Sequence, residues 1–321
     1  MDDKGFPSYI KSKRCYHKCN EIRIDAVNLL LPVFAFICGV LLAGHASAGY
    51  IKPFLASMLS RLLIPAVIIY NMVFYQAGSL SLMLFSFCTA IIMFYVFLYI
   101  FKDKLRALCV SYINLAWLGF PFALAIFGPS ISAPMVALYV GGSVFGNIWA
   151  VTSVNNQAMS AVEICKKVLM SPPVSALILA AIFRFFGLQH MQEHTFIDVL
   201  YSCAKVSMSF AGMCVLGMWM RRTRVEFQDI WRSTKVAGMK LFFGAFICGL
   251  TYSFVSIPHI DQYIGVMFML FFLPPAANIV ALETHYQGTG VSAKYIASGT
   301  LVSCVLIALY GLVIHQIMPN L

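Results

Sequence analysis

The sequence predicts an all-α polytopic membrane protein with ten transmembrane helices, and three observations lead to this fold class. Hydrophobic residues make up 61% of the 321 residues and charged residues only 11%, whereas soluble domains carry about 25% charged residues. The apolar residues lie in long runs, each close to the roughly 20 residues that a helix needs to cross a bilayer. Short connections join the runs, so we expect no separate soluble domain.

The predicted spans follow a polar, basic tail, residues 1–26. The tail lacks the short apolar core and the cleavage site of a signal peptide. After it, apolar runs of membrane-spanning length alternate with polar connections. The predicted spans are 27–44, 54–76, 82–101, 105–127, 134–157, 168–187, 196–219, 237–257, 262–284 and 292–317.

The ninth span contains two adjacent prolines, Pro274 and Pro275, followed by Asn278. A proline has no N–H, and its ring collides with the preceding helical turn. Carbonyl groups in that turn lose their partners at a depth where no lipid group replaces them. We therefore expect the helix to break here and the broken backbone to line a protein cavity.

The fourth span has a similar pattern, in which Gly119 and Pro121 interrupt an apolar run and Asn114 lies nearby. Interrupted helices at corresponding places in two halves of a chain are typical of the substrate site of a secondary transporter. We therefore predict such a site where the fourth and ninth spans break.

The two halves of the chain also resemble each other. Pro32–Ala35 in the first span matches Pro173–Ala176 in the sixth, and Gly142 followed by Ser143 matches Gly299 followed by Thr300. Five helices in each repeat would insert the second repeat upside down relative to the first. The predicted organisation is a first repeat over 27–157, a short cytoplasmic linker over 158–167 and a second, inverted repeat over 168–321.

The distribution of Lys and Arg predicts the orientation, because basic connections stay in the cytoplasm. The even-numbered connections hold one basic residue, Arg184, which places them outside together with both termini. The basic tail opposes this orientation. The odd-numbered connections and adjoining helix ends hold fourteen basic residues: Lys52, Arg61, Lys102, Lys104, Arg106, Lys166, Lys167, Arg221, Arg222, Arg224, Arg232, Lys235, Lys240 and Lys294.

Several classes of protein are not expected. The net charge of +10 comes from residues between apolar runs, which is unlike the basic stripe of a nucleic-acid-binding protein. Cys15, His17 and Cys19 offer three metal ligands without a fourth, so we expect no metal and no other cofactor. Neither a nucleotide-binding loop nor a nucleophile and base constellation is present, so we expect no enzyme activity.

The two interrupted spans resemble the auxin efflux carrier family, which includes bacterial permeases and the plant PIN carriers and is related to bile acid:sodium symporters. The resemblance extends over residues 28–317. The sequence departs from the family in three respects. Its basic tail is longer, Phe210 stands where a proline is frequent, and it lacks the long cytoplasmic loop of many plant members. Its most specific residues are Asn114, Gly119, Pro121 and Phe127-Gly128 in the fourth span, and Pro274-Pro275-Ala276-Ala277-Asn278, Ala281 and Tyr286 in the ninth.

The resemblance implies an elevator-type carrier of organic anions in the cytoplasmic (inner) membrane, with a scaffold domain, a transport domain and a homodimer. In its transport domain the two broken helices would cross. The candidate substrate-binding residues are Asn114, Gly119, Pro121, Pro274, Pro275, Asn278, Lys205 and Arg61.

Broken half-helices leave unpaired N–H groups at their N-termini, and these groups can hold a carboxylate. Asn114 and Asn278 fit this position, either as substrate contacts or as partners of the broken backbone. Lys205 lies inside the seventh span and Arg61 is its repeat counterpart, so the two cations could attract an anion at opposite faces. Alternatively, Arg61 is an ordinary cytoplasmic charge and the Lys205 ammonium reaches out to solvent past Asp198.

Glu283 and His285 form the one carboxylate and imidazole pair close to a broken helix, which makes them candidates for proton coupling. The alternative is a solvated helix end. Since no pair of intramembrane acids is present, the sequence favours transport without sodium.

The sequence therefore predicts a secondary transporter of small organic anions, either monocarboxylates or dicarboxylates. A ligand-binding membrane receptor is an alternative, although no output domain is encoded. A sodium-coupled symporter of the bile-acid type is another. A channel is disfavoured, because nothing indicates a ring of pore-lining charges.

Overall fold

A computed structural model describes residues 31–74, 78–154, 160–191, 195–221, 223–287 and 290–317. Within these ranges the chain is almost entirely helical and forms no strand. The one β-type pairing there is an isolated antiparallel bridge between Ile113 and Pro275. The predicted tail, 1–26, lies outside the described residues.

Thirteen helices follow one another in the described ranges, besides the short 3-10 helices Pro129–Ile131 and Leu188–Met191. Their bounds are α1 Leu31–Leu42, α2 Ala48–Val73, α3 Ser79–Phe101, α4 Lys104–Ser111, α5 Leu115–Phe127, α6 Ser132–Val154, α7 Ala161–Leu169, α8 Pro172–Phe185, α9 Thr195–Met220, α10 Phe227–Phe254, α11 Ile260–Phe272, α12 Asn278–Gln287 and α13 Ser292–Ile317.

Six of these helices, α2, α3, α6, α9, α10 and α13, are long and apolar enough to cross a membrane. Four shorter apolar helices, α1, α5, α8 and α11, lie at the positions of the remaining predicted spans. The coarse prediction of a helical protein with membrane-spanning helices is therefore supported. A membrane crossing by the four shorter helices stays a prediction.

The start of α10 differs from the prediction, which placed it at residue 237. The helix begins at Phe227, because Glu226 and Asp229 form a reciprocal capping box that satisfies backbone N–H groups of the first turn. The added turns are amphipathic, so hydropathy alone did not detect them. Lys240 consequently stands in the middle of this 28-residue helix rather than at its end.

The break in the fourth span also differs from the prediction. It lies at Tyr112–Asn114, between α4 and α5, and not at Gly119 and Pro121. The first turn of α5 is a π-helical turn in which the Gly119 N–H donates to the Asn114 carbonyl at 3.0 Å. This wider turn accommodates the missing N–H of Pro121, so the helix continues through the proline.

Three contacts link connections between the predicted spans, and each links two connections of the same parity. Two of these contacts join odd-numbered connections or adjoining helix ends, and the third joins two even-numbered ones. This grouping agrees with helices that alternate in direction, whereas the membrane side of each group stays a prediction. The contacts are Arg221 to the Val40 carbonyl at 2.9 Å and Lys294 to Glu226 at 3.5 Å among the odd-numbered connections, and Arg184 to the Val73 carbonyl at 3.2 Å among the even-numbered ones.

The predicted linker, 158–167, lies partly outside the described residues, and its described part belongs to α7. Ser160 and Glu163 form a capping box that starts this helix. Its side chains that the structure describes include the exposed apolar Val162 and the basic Lys166 and Lys167. This composition suits a short helix at a membrane surface.

Close helix packing at Gly141 gives a first prediction, about stability. A Cβ atom at Gly141 of α6 would overlap the backbone carbonyl of Met83 in α3, and backbone cannot rotate away as a side chain can. We expect Gly141→Ala to lower the free energy of unfolding by about 1–3 kcal/mol. Thermal unfolding of the purified protein in detergent measures this.

The matched control is Gly249→Ala in α10, where no heavy atom lies within 4 Å of the added Cβ. This change should be neutral or stabilising, because alanine exceeds glycine in helix propensity by about 1 kcal/mol. Equal unfolding temperatures of the two variants would contradict the close packing of α3 against α6.

Candidate functional site

The two helix interruptions contact each other through their backbones. The Asn114 N–H donates to the Pro274 carbonyl, and the Ala276 N–H donates to the Tyr112 carbonyl, both at 2.8 Å. Because Pro274 and Pro275 have no N–H, Ala276 provides the first donor after the second break. Each interruption thus supplies hydrogen-bond partners for backbone groups of the other. Lipid could not supply such partners inside a bilayer.

Asn114 lies at the first interruption with only 5% of its surface exposed. Its Oδ1 accepts from the Trp117 N–H at 3.2 Å, which caps the first turn of α5. Its Nδ2 is buried and has no hydrogen-bond partner in the part of the chain that the structure describes. An unpaired buried donor is costly, which makes this amide a candidate ligand contact. Neither Asn114 nor Asn278 is among the residues that line the cavity described below, so contact between these amides and a ligand stays a prediction.

Asn278 begins α12 directly after the second interruption and is exposed. Its Nδ2 donates to the Tyr112 hydroxyl at 2.9 Å, a residue of the first interruption. The structure therefore brings both predicted asparagines to the same pair of breaks. One side chain caps a helix and keeps a free donor, and the other links the two breaks.

A cavity of about 400 Å³ opens beside the second interruption. It lies between α10 and α13, with α4 and the end of α11 completing the wall, and Pro274 and Pro275 line it. Most of the remaining wall is apolar, including Phe101, Phe271 and Val302. The predicted proline break thus borders a ligand-sized space.

Four cations and no Asp or Glu stand among the described residues that line this cavity. Arg106, Arg232 and Lys235 are exposed near its mouth, whereas Lys240 is buried, with 5% of its surface exposed. Arg106 also pairs with Asp103, N to O distance 3.3 Å. The cavity therefore carries an excess of positive charge, which favours an anionic ligand.

The Lys240 ammonium donates to the Leu273 carbonyl, with 2.6 Å between Nζ and O. In an unbroken helix this carbonyl would accept from the N–H of residue 277. The proline break removes that partner, and a lysine from the neighbouring helix replaces it at the negative end of α11.

Sequence reasoning missed Lys240 and its cavity. It counted Lys240, Arg232, Lys235 and Arg106 as orientation charges, and it regarded Lys205 as the basic residue inside a span. The signal was present in the capping pair Glu226 and Asp229, which starts α10 early enough to bring Lys240 to the middle of the helix.

Lys205 and Arg61 lie away from this cavity. Lys205 is half-buried on α9, with its Nζ 5.2 Å from the centre of the Tyr201 ring, and Arg61 is exposed on α2. Asp198, the predicted neighbour of Lys205, accepts a hydrogen bond from the Tyr70 hydroxyl at 2.7 Å. The structure does not bring these two cations together with Asn114 and Asn278.

Glu283 is fully buried, so the interpretation of a solvated helix end is wrong for this side chain. Its carboxylate accepts from the Val291 N–H at 2.8 Å, from the Ser292 N–H at 2.9 Å and from the Ser292 hydroxyl. These bonds cap the N-terminus of α13, where a negative charge is favourable. The side chain of His285 lies outside the described residues.

The cap predicts a structural effect for Glu283→Gln. A glutamine amide would turn one N–H donor towards the backbone donors of Val291 and Ser292, so at least one bond would be lost. We expect the free energy of unfolding to fall by about 1–3 kcal/mol, while transport persists and its rate changes by less than about tenfold. Thermal unfolding and counterflow measure the two effects. Complete loss of counterflow in a folded variant would restore Glu283 as a coupling residue.

No group of three or more His, Cys, Asp and Glu side chains that could hold a metal ion occurs in the described ranges. The Cys15, His17 and Cys19 cluster lies outside them.

Together these features define a helical protein with six helices of membrane-spanning length and a basic cavity beside two helix interruptions that contact each other. A comparison with protein-family models finds no match, and a comparison with curated proteins finds none. The resemblance to auxin efflux carriers accordingly rests on the residues quoted above.

Proposed function

We propose that the protein is a secondary transporter of small organic anions, resembling the auxin efflux carriers. The observation that carries this proposal is the cavity beside the Pro274 and Pro275 break, which is lined by four cations and no described carboxylate. Cations provide the countercharge that a carboxylate needs when it leaves water, and here they outweigh the negative end of α11 that borders the cavity. A cavity at paired helix interruptions is the arrangement that carriers use for alternating access.

The proposed architecture is ten spans in two inverted five-helix repeats, moving as an elevator in the inner membrane. The glycines that match between the halves support it. A Cβ at Gly142 would lie 2.9 Å from Leu115, which follows the first break, and a Cβ at Gly299 would lie 3.0 Å from Pro275 in the second. Equivalent positions thus pack against equivalent interruptions, as repeats require. A homodimer follows from the family resemblance.

Counterflow in proteoliposomes tests the proposal. Vesicles loaded with one carboxylate should accumulate the same radiolabelled carboxylate from outside, with and without sodium. Binding without any flux across a panel of monocarboxylates and dicarboxylates would favour a receptor. A strict sodium requirement would favour the symporter of the bile-acid type.

A further inference from the structure

We infer that Lys240 is the counter-ion of the substrate carboxylate, and that the transported anion is a monocarboxylate with an apolar body. This inference rests on the proposed function and deepens it. It assigns one residue to the substrate charge and one chemical class to the substrate.

The first step is the position of Lys240 within the cavity. Arg232, Lys235 and Lys240 lie on one side of α10, since all three line the same space. Eight residues of helix separate Arg232 from Lys240, a rise of about 12 Å. Exposed cations thus stand at the mouth and one buried cation stands deep in the cavity.

The second step concerns the charge of Lys240. An ammonium group has three N–H donors, and the hydrogen bond that the structure gives it goes to the neutral carbonyl of Leu273. A buried ammonium group loses its hydration, so it keeps its proton only when an opposite charge lies beside it. A carboxylate that reaches the bottom of the cavity supplies this charge, while the Leu273 bond keeps the ammonium in place.

The third step concerns the space between the mouth and Lys240. The wall there is mostly apolar. If one carboxylate of a short dicarboxylate binds Lys240, its second carboxylate would lie against this apolar wall and would not reach the cations at the mouth. An apolar chain or ring, by contrast, would exchange water for hydrocarbon contacts. The apolar side chains concerned are Val236, Met239, Phe271, Phe272, Leu273 and Val302.

The test compares hexanoate, hexanamide and succinate as ligands of the purified protein, with affinity read from competition in counterflow and from thermal shifts. The wild type should bind hexanoate at least about tenfold more tightly than either other probe, since one charged hydrogen bond accounts for about that factor. Lys240→Gln keeps a donor for the Leu273 carbonyl and removes the charge. It should bind hexanoate about tenfold to a hundredfold more weakly and no longer distinguish it from hexanamide.

Lys240→Arg should retain the preference for hexanoate, because it keeps the charge. Lys166→Gln is the matched control, since Lys166 is exposed on α7 and does not line the cavity. Reductive methylation of the wild type gives a second readout that needs no variant to fold. Hexanoate, and not hexanamide, should slow the methylation of Lys240 as measured by mass spectrometry.

The outcomes separate this inference from the proposed function. If the wild type transports no carboxylate at all, the proposed function fails. If it transports carboxylates but succinate binds as tightly as hexanoate, the substrate class is wrong. If Lys240→Gln keeps the preference for hexanoate, or if hexanoate leaves the methylation of Lys240 unchanged, Lys240 has a structural role only.

Discussion

The Asn114→Ser variant is expected to bind the transported anion about tenfold to a hundredfold more weakly than the wild type while unfolding at nearly the same temperature. The serine hydroxyl can still accept from the Trp117 N–H and cap α5, as Oδ1 does now. It cannot replace the buried Nδ2 donor, which has no described partner. A hydrogen bond to a charged group contributes about 1.5–3 kcal/mol, which corresponds to this loss. Isothermal titration and thermal unfolding measure the two quantities.

The Asn114→Ala variant is the control, because it loses the cap as well as the donor. It should show the same loss of affinity together with a loss of about 1 kcal/mol in the free energy of unfolding. Asn278→Ala is expected to weaken binding too, and Tyr112→Phe tests whether Asn278 acts through the Tyr112 hydroxyl. If Asn114→Ser binds like the wild type and only Asn114→Ala changes, by unfolding earlier, Asn114 serves the broken backbone alone.

Orientation in the membrane gives the other large effect. Without Lys240, which is buried, thirteen basic residues remain in the odd-numbered connections against one in the even-numbered connections. A cysteine at the exposed Ser130, between α5 and α6, should react with a membrane-impermeant maleimide in intact cells. A cysteine at the exposed Gln228, at the start of α10, should react only after the membrane is permeabilised.

The labelling needs a background in which the exposed Cys88, Cys165 and Cys203 are replaced by serine, together with Cys15 and Cys19 of the tail. Both sites should label in permeabilised cells, which shows that each cysteine is reactive. Labelling of the Gln228→Cys variant alone in intact cells would invert the orientation and place the basic tail inside.

The covalent chemistry of proline explains why part of the site could be predicted. Pro274 and Pro275 cannot donate, so the interruption between α11 and α12 follows from the sequence alone. The same argument wrongly predicted a break at Pro121, because a π-helical turn near the start of a helix accommodates a single proline. The actual break at Ile113 has no local signal, since it is stabilised by pairing with Pro275, far away in the chain.

Burial depends on partners that a single sequence does not reveal. Lys240 and Glu283 have side chains that usually face water, and in both cases a backbone group outside their own helix makes burial acceptable. Leu273 accepts from Lys240, and Val291 donates to Glu283. Helix composition could be predicted because it is local, whereas these contacts arise only after the helices have assembled.

The mutual hydrogen bonds of the two interruptions also determine when the protein can finish folding. The ribosome makes Tyr112 and Asn114 about 160 residues before Pro274 and Ala276, which at about 5–20 residues per second is about ten to thirty seconds of synthesis. During that time the nascent first half lies in the translocon or the bilayer with an unmet carbonyl and an unmet N–H, and lipid can satisfy neither. The first half therefore completes its backbone hydrogen bonds only after the second half has been synthesised.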